Sequence, residues 1–275
     1  MVNSSEFLYK VIEGVNDMMP VIFIGHGSPM NAIEDNEFTK NFKNISKDIE
    51  KPKAIICISA HWFTDGTKVT AMSNPKTIHD FYGFPKELYD IEYPTKGDVA
   101  LAKEVEELLS PIKVELDLEW GLDHGSWSVL RHMYPNADIP TIQIGIDYNK
   151  SPKYHFDLAK KLESLRSKGV LIIGSGNIVH NLGMVDFDNI ETHDYGYDWA
   201  KKVRKQINEY ILNNNFDPIL DYLKQGSDFH LAIPTPEHFL PLIYILGLKK
   251  ENEKVEFFND VLVGGSLSMT SMIIK

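Results

Sequence analysis

The sequence predicts an α/β fold: a single domain with a central, mostly parallel or mixed β-sheet flanked by helices on both faces. Three observations lead there. Strand-like runs recur at residues 21–25, 54–60, 68–72, 141–146, 170–174 and 261–263. Several, such as "VIFIG" and "AIICISA", are apolar without a break, as strands covered on both faces are. Amphipathic stretches alternate with them, which calls for parallel strands joined by helical crossovers.

Taken in order, residues 1–18 predict a helical extension. Phe7, Leu8, Val11, Ile12 and Val15 are spaced for one apolar helix face, and Glu6, Glu13 and Asp17 argue against a signal peptide or a membrane span. Residues 19–275 then read as one domain. The run 21–25 is the first strand. "DNEFTKNFKNISKDIEK" is an amphipathic helix leading to the second strand at 54–60. "GDVALAKEVEELL" and "YHFDLAKKLESLRSKG" are two more helices, the latter closed by a glycine where a helix C-terminus favours one. "YDWAKKVRKQINEYILNN" and "DPILDYLKQ" complete the helical pattern. No internal repeat, low-complexity segment or Pro/Gly/Ser-rich linker divides the chain.

Composition narrows the function classes. The 275 residues hold 39 acids against 28 bases, a formal charge of −11, which argues against nucleic acid as a partner. The single cysteine, Cys57, rules out an internal disulfide and reads as a small buried hydrophobe. No run is long and apolar enough to cross a bilayer, so no membrane role and a cytoplasmic location are expected.

The ends of the strand-like runs carry the chemistry. Ligands of open α/β sheets gather beyond the carboxyl ends of the strands. The first run ends in His26, within "GHGSPM". The second ends in His61, within "SAHW". The run 170–174 passes through "GSGNIVHNL" to His180. His124 in "DHGSW", within a loop rich in turn residues, and His238 in "PTPEHFLPL", before a helix start, are further candidates. One histidine alone is more often a satisfied polar group; five placed on one rim suit a metal such as zinc, iron, copper or nickel, with some left as acids or bases. His132, His155, His193 and His230 are weaker, and His155, at a helix start, reads as solvated. His79 in "TIHDFYGFP" sits among Phe81, Tyr82, Phe84 and Pro85, a composition equally suited to a flat aromatic pocket or to core packing. A zinc-dependent hydrolase using Glu237 or Asp123 as base is the second reading, and a non-catalytic metal-binding protein the third. Ser175 and Ser126 lack the nucleophile-elbow pattern, and "GSGN" lacks the features of a nucleotide loop.

Together "GHGSPM", "SAHW", "TIHDFYGFP", "DHGSW", "GSGNIVHNL" and "PTPEHFLPL", in this order over nearly the whole chain, resemble the class III extradiol ring-cleavage dioxygenases, in their DOPA-dioxygenase branch. The resemblance implies that residues 19–275 are a catalytic domain that opens a substituted, DOPA-like catechol with dioxygen to a muconic semialdehyde. It implies one divalent metal ion, Zn(2+) as isolated and Fe(2+) for catalysis, and no organic cofactor. Metal ligands fall at His26, His61 and a third position, Glu237 or His238, with His238 preferred; an all-histidine set favours zinc more than a carboxylate-containing one. His180 falls beside the metal as a further ligand or an acid/base, and His124 behind the ligands, against substrate or dioxygen. His79, Phe81, Tyr82, Trp62 and Trp127 are the expected substrate-binding residues, each equally able to serve as core. The partners are then a small catechol and dioxygen, with a monomer or dimer equally open.

Overall fold

The fold is described by a computed structural model covering residues 18–275. The helical extension expected over residues 1–18 falls outside them but for its last residue. Six strands form the central sheet: β1 (Val21–Gly25), β2 (Ala54–Ser59), β3 (Thr141–Gln143), β4 (Val170–Gly176), β5 (Val255–Phe258) and β6 (Ser271–Ile274). Their spatial order is β3-β2-β4-β1-β6-β5. The first four run parallel, and β6 and β5 add antiparallel pairings beyond β1.

The uninterrupted apolar runs are explained by burial on both faces. Val21 and Phe23 of β1 join one core, and Ile22 and Ile24 join the other. Ile56 and Ile58 of β2 likewise face away from Ile55 and Cys57. The first core is covered by helices α2 (Val99–Leu109), α4 (Pro152–Lys160), α5 (Asp198–Leu212) and α6 (Leu240–Gly247). The second is covered by α1 (Glu37–Lys47) and α3 (His124–Met133). Side chains cap the starts: Asn36, Asp98, Asp123 and Ser151 each accept a backbone N–H of the first turn of α1 to α4.

Several elements differ from expectation. The run at 68–72 forms Thr67–Thr70, paired with Val114–Asp117 outside the central sheet. The run at 141–146 divides: β3 stays in the sheet, while Ile146–Asp147 pairs with Phe63–Thr64. Leu262–Val263 forms a small antiparallel pair with Leu267–Ser268 instead of joining the sheet. The helix over 154–169 breaks into α4 and a turn at Glu163–Arg166. That turn delivers the buried Arg166 guanidinium to Glu253, Leu248 O and Met19 O. His155 is fully buried, not solvated; its Nδ1 lies 2.9 Å from Tyr244 Oη between α4 and α6. Among the described residues no helix is long and apolar enough to cross a membrane.

Register places the functional rim. Gly25 is level with Gly176, and Ser59 with Ser175. The carboxyl ends of β1, β2 and β4 therefore stop at one height, and whatever follows them meets there.

Candidate metal centre

His26 leaves β1 with its ring buried over that rim. Gly27 follows at φ +65°, a left-handed turn that a side chain would strain, and a Cβ there would stand 2.5 Å from the Met269 sulfur and 2.9 Å from Asn31 Nδ2. His61 follows β2. His124 is the first residue of α3 rather than a loop residue, since Asp123 caps that helix. His238 precedes α6, and its carbonyl accepts the Asn177 N–H at 2.8 Å just beyond β4. This approach needs Gly176: a Cβ there would stand 2.2 Å from His238 O.

The five rim histidines come together. The His26 and His61 rings lie 5.1 Å apart, His61 and His124 3.9 Å, His26 and His238 5.4 Å, and His61 and His238 5.0 Å. His180 stacks flat on His238 at 3.5 Å, and its backbone N–H donates to Ala232 O. Ligand atoms converge in two groups, His26–His61–His124 and His180–Glu237–His238.

Each ring is oriented from behind. Ser175 Oγ has one hydrogen, donated to Gly125 O at 2.5 Å, so it accepts from His26 Nδ1 at 3.0 Å. That assignment leaves a bare lone pair on His26 Nε2. His61 Nδ1 lies 3.3 Å from Asp80 Oδ2, and His124 Nδ1 lies 2.9 Å from the same oxygen. The His124 contact is off the ring N–H axis, so it is electrostatic rather than a well-aligned hydrogen bond. Asp80 Oδ1 also accepts the His124 backbone N–H at 2.9 Å. His238 Nδ1 faces Glu237 Oε1 at 3.3 Å. Four imidazoles thus have Nδ1 near an oxygen, the kind of contact that orients metal-binding histidines, while the His26 and His61 Nε2 atoms face one another.

Electrostatics agree with a cation site. Burial, then the neighbouring His61, His238, His124 and His180, holds His26 well below the ordinary imidazole range. Burial and the neighbouring rings do the same for His61, and burial with His238 brings His180 down to about 3. These rings stay neutral at working pH, as metal ligands must. His26 Nε2 and His61 Nε2 stand 3.2 Å apart. Two nitrogens on a tetrahedral zinc, each at ~2.05 Å, are about 3.3 Å apart. The residues fit a metal ion.

Asp80 was not among the expected site residues. Its neighbour His79 turns inward, its Nε2 at 2.9 Å from Ile91 O and its ring against Tyr89 and Trp127. The signal was the acid beside His79 in a segment leading to the rim. Beneath the site Asp123 is fully buried, bonded to Ser59 Oγ at 2.6 Å and Gln143 Nε2 at 2.8 Å. Burial and the nearby Asp80 raise its pKa against those hydrogen bonds. Its oxygens are spent on holding β2, β3 and α3 together, so the hydrolase reading loses that base. Ser175, also buried, is no free nucleophile. Burial pushes the Cys57 thiol up to about 12, in keeping with an inert core residue.

A cavity of about 450 Å³ opens over the histidines; His26, His61, His124, His180 and His238 line it with Phe84, Leu182, Val185, Phe187 and others. Four of the expected aromatic walls lie elsewhere. Trp62 stacks on Trp120 at 5.8 Å and does not line the cavity. Trp127 is wholly buried and donates to Ile78 O. Tyr82 is 94% exposed, and His79 faces the core. Phe81 backs His124 edge-on at 5.5 Å without lining the cavity; Phe84, three residues on, does line it.

Comparison with known proteins agrees with this site. Residues 20–273 match the family described as the catalytic LigB subunit of aromatic ring-opening dioxygenase. The chain is 46% identical over 275 residues to the 4,5-DOPA dioxygenase extradiol of Escherichia coli (strain K12), covering 97% of this chain and 98% of that one. It is 35% identical over 262 residues to the protein of the same name from Beta vulgaris, covering 93% and 96%. A crystal structure of an uncharacterized protein, JW3007, from Escherichia coli K12 superposes with a TM-score of 0.81 at 40% identity, over 94% of this chain and all of that one. With five histidines gathered on one rim of its sheet, the chain belongs to the LigB family of class III extradiol dioxygenases and is a metal-dependent ring-cleaving enzyme.

Proposed function

We propose that the enzyme opens a substituted catechol beside its diol, consuming one dioxygen and releasing a muconic semialdehyde, with His26, His61 and His238 as metal ligands. Zinc is the metal expected on isolation and Fe(2+) the catalytic one. The observation that carries this reading is the set of Nδ1 partners, Ser175, Asp80 and Glu237, which leave Nε2 of each ring as a ligand atom. His238 is preferred to Glu237 because His238 lines the cavity and Glu237 does not. Burial alone would raise the Glu237 carboxyl, but hydrogen bonds from His238 and Thr235 hold it down at about 2, an anion that orients the ring.

The bound metal supplies a Lewis-acidic meeting point for the catechol oxygens and dioxygen. The protein's own groups do the rest. His124 accepts the catechol proton at Nε2, and the Asp80 carboxylate beside its Nδ1 stabilises the imidazolium that results. His180, stacked on His238 at 3.5 Å, serves as a further ligand or as an acid/base.

The test is an oxygen-electrode and absorbance assay of iron-reconstituted protein against a catechol panel. One dioxygen per catechol and a yellow product are expected. Turnover of esters or amides without oxygen uptake would replace this reading with the hydrolase one.

A further inference from the structure

We propose that Asn177 is a substrate-binding residue: its side-chain carbonyl accepts a hydrogen bond from the catechol hydroxyl that keeps its proton. This rests on the catechol reading above and adds a second protein group to the recognition of the diol. Asn177 follows β4 directly and is 2% exposed, yet it lines the cavity over the histidines. It stands beside two of the ligands named above. The His26 N–H donates to the carbonyl of Gly176, the preceding residue, at 3.2 Å, and the Asn177 N–H donates to His238 O at 2.8 Å.

The orientation of the amide is fixed from one side. Nδ2 donates to Ser268 O at 2.8 Å, and a carbonyl only accepts, so turning the amide over would set two acceptors against each other. That leaves Oδ1 buried and without a donor among the described residues. An unpaired buried acceptor is costly, so such a group marks a place where something outside the chain completes the bonding. The neighbouring hydroxyls are spent elsewhere. Ser175 Oγ donates to Gly125 O, and Ser268 Oγ donates to Thr270 Oγ1 at 2.6 Å, which in turn donates to Asp260.

A catechol brings the missing donor. It enters with two O–H groups, and His124 takes one proton. The second hydroxyl keeps its hydrogen and needs an acceptor once it has left water. Among the described residues, no Asp or Glu side chain lines the cavity. Ser28, the other uncharged polar side chain there, is exposed, and its Oγ already accepts the Met30 N–H at 3.2 Å. Asn177 Oδ1 is a neutral amide oxygen: it holds a hydroxyl in place without being basic enough to take its proton. The diol is then read from two sides, by a base for one oxygen and an acceptor for the other.

The experiment is anaerobic calorimetric titration of zinc-loaded protein, which binds without turning over, with two bidentate ligands of one shape. Catechol keeps one O–H after giving up a proton. 1-Hydroxypyridin-2-one keeps none after giving up its own, and presents only lone pairs. In Asn177→Leu catechol should weaken at least about fivefold and the pyridinone should not weaken, the scale of one hydrogen bond. In Asn177→Asp, which keeps an acceptor and adds a charge, catechol should stay within about threefold of the parent while the pyridinone weakens at least about tenfold. Zinc content and thermal unfolding are measured on the same samples. Equal weakening of both ligands in Asn177→Leu makes the side chain a structural tie to Ser268 and overturns the proposal; unchanged catechol binding assigns Oδ1 to water or the hydroxyl to another acceptor, and also overturns it. If Asn177→Leu does not fold or hold zinc, Asn177→Asp decides alone, and equal changes for both ligands overturn the proposal. None of these results touches the catechol reading, which falls with the proposal if catechol fails to bind the parent protein.

Discussion

Ser175 shows how much one hydroxyl decides. Its hydrogen goes to Gly125 O, so it can only accept from His26, which fixes the tautomer of a ring facing the centre. Ser175→Ala should therefore lower metal affinity about 10–100-fold, the usual effect of losing a group behind a metal ligand. His26→Ala and His61→Ala should lose the metal outright. Metal content after dialysis against a weak chelator, compared with the parent, checks all three; equal stoichiometric metal throughout would refute the assigned ligands. His124 divides from His238 by role. His124→Ala should keep its metal and lose about 10²–10⁴-fold in turnover, as when a general base is removed. His238→Ala should lose metal affinity. Retention of metal in His238→Ala with loss in Glu237→Ala would transfer the third ligand to the glutamate.

At the scale of elements, the site is a consequence of three parallel strands ending level. That much is legible in the sequence, because apolar runs mark β1, β2 and β4 and a histidine closes or follows each. Other parts are not. β5 and β6 are four residues each and carry no long apolar run, so the antiparallel half of the sheet escapes notice. "DHGSW" reads as a loop by its turn residues, yet Asp123 is a helix cap and those residues begin α3. Asp80 and His79 are adjacent and face opposite ways, a distinction that composition does not hold and a fold does. The close approach of the His238 carbonyl to Gly176 gives a test at this scale. Gly176→Ala should destabilise the protein by on the order of 1–3 kcal/mol, by overpacking against backbone, and should displace His238 enough to weaken metal binding. Chemical denaturation and metal content of the same sample measure the two effects.

The packing of α4 on α6 adds a pH dependence. Burial brings His155 down to about 4, so the unfolded chain takes up its proton first as pH falls. Its contribution is whole above about pH 6.5 and is lost as the pH drops toward 4, on the order of 3 kcal/mol in all. The depressed rim histidines lose stability in the same direction in the absence of metal. His155→Gln should flatten the curve of unfolding free energy against pH between 6.5 and 4 by one proton's worth; an unchanged slope would contradict a buried neutral His155.

Across the whole molecule, two apolar cores hold a sheet whose one rim gathers five histidines, three of them kept neutral by burial. The folded protein binds metal at a site that the unfolded chain lacks. A free metal concentration of about 100 Kd should then stabilise it by roughly 2.7 kcal/mol, reversed by chelator and absent in His26→Ala. The central claim, that this rim joins dioxygen to a catechol, is tested most directly by isotope labelling. Iron-loaded protein should be given a substituted catechol that it turns over under ¹⁸O₂ in ordinary water, and the product trapped before its aldehyde exchanges and analysed by mass spectrometry. Both labelled atoms should appear in one ring-opened product, one in the carboxylate and one in the aldehyde. Product oxygen drawn only from water, or an intact ring after oxygen is consumed, would contradict it.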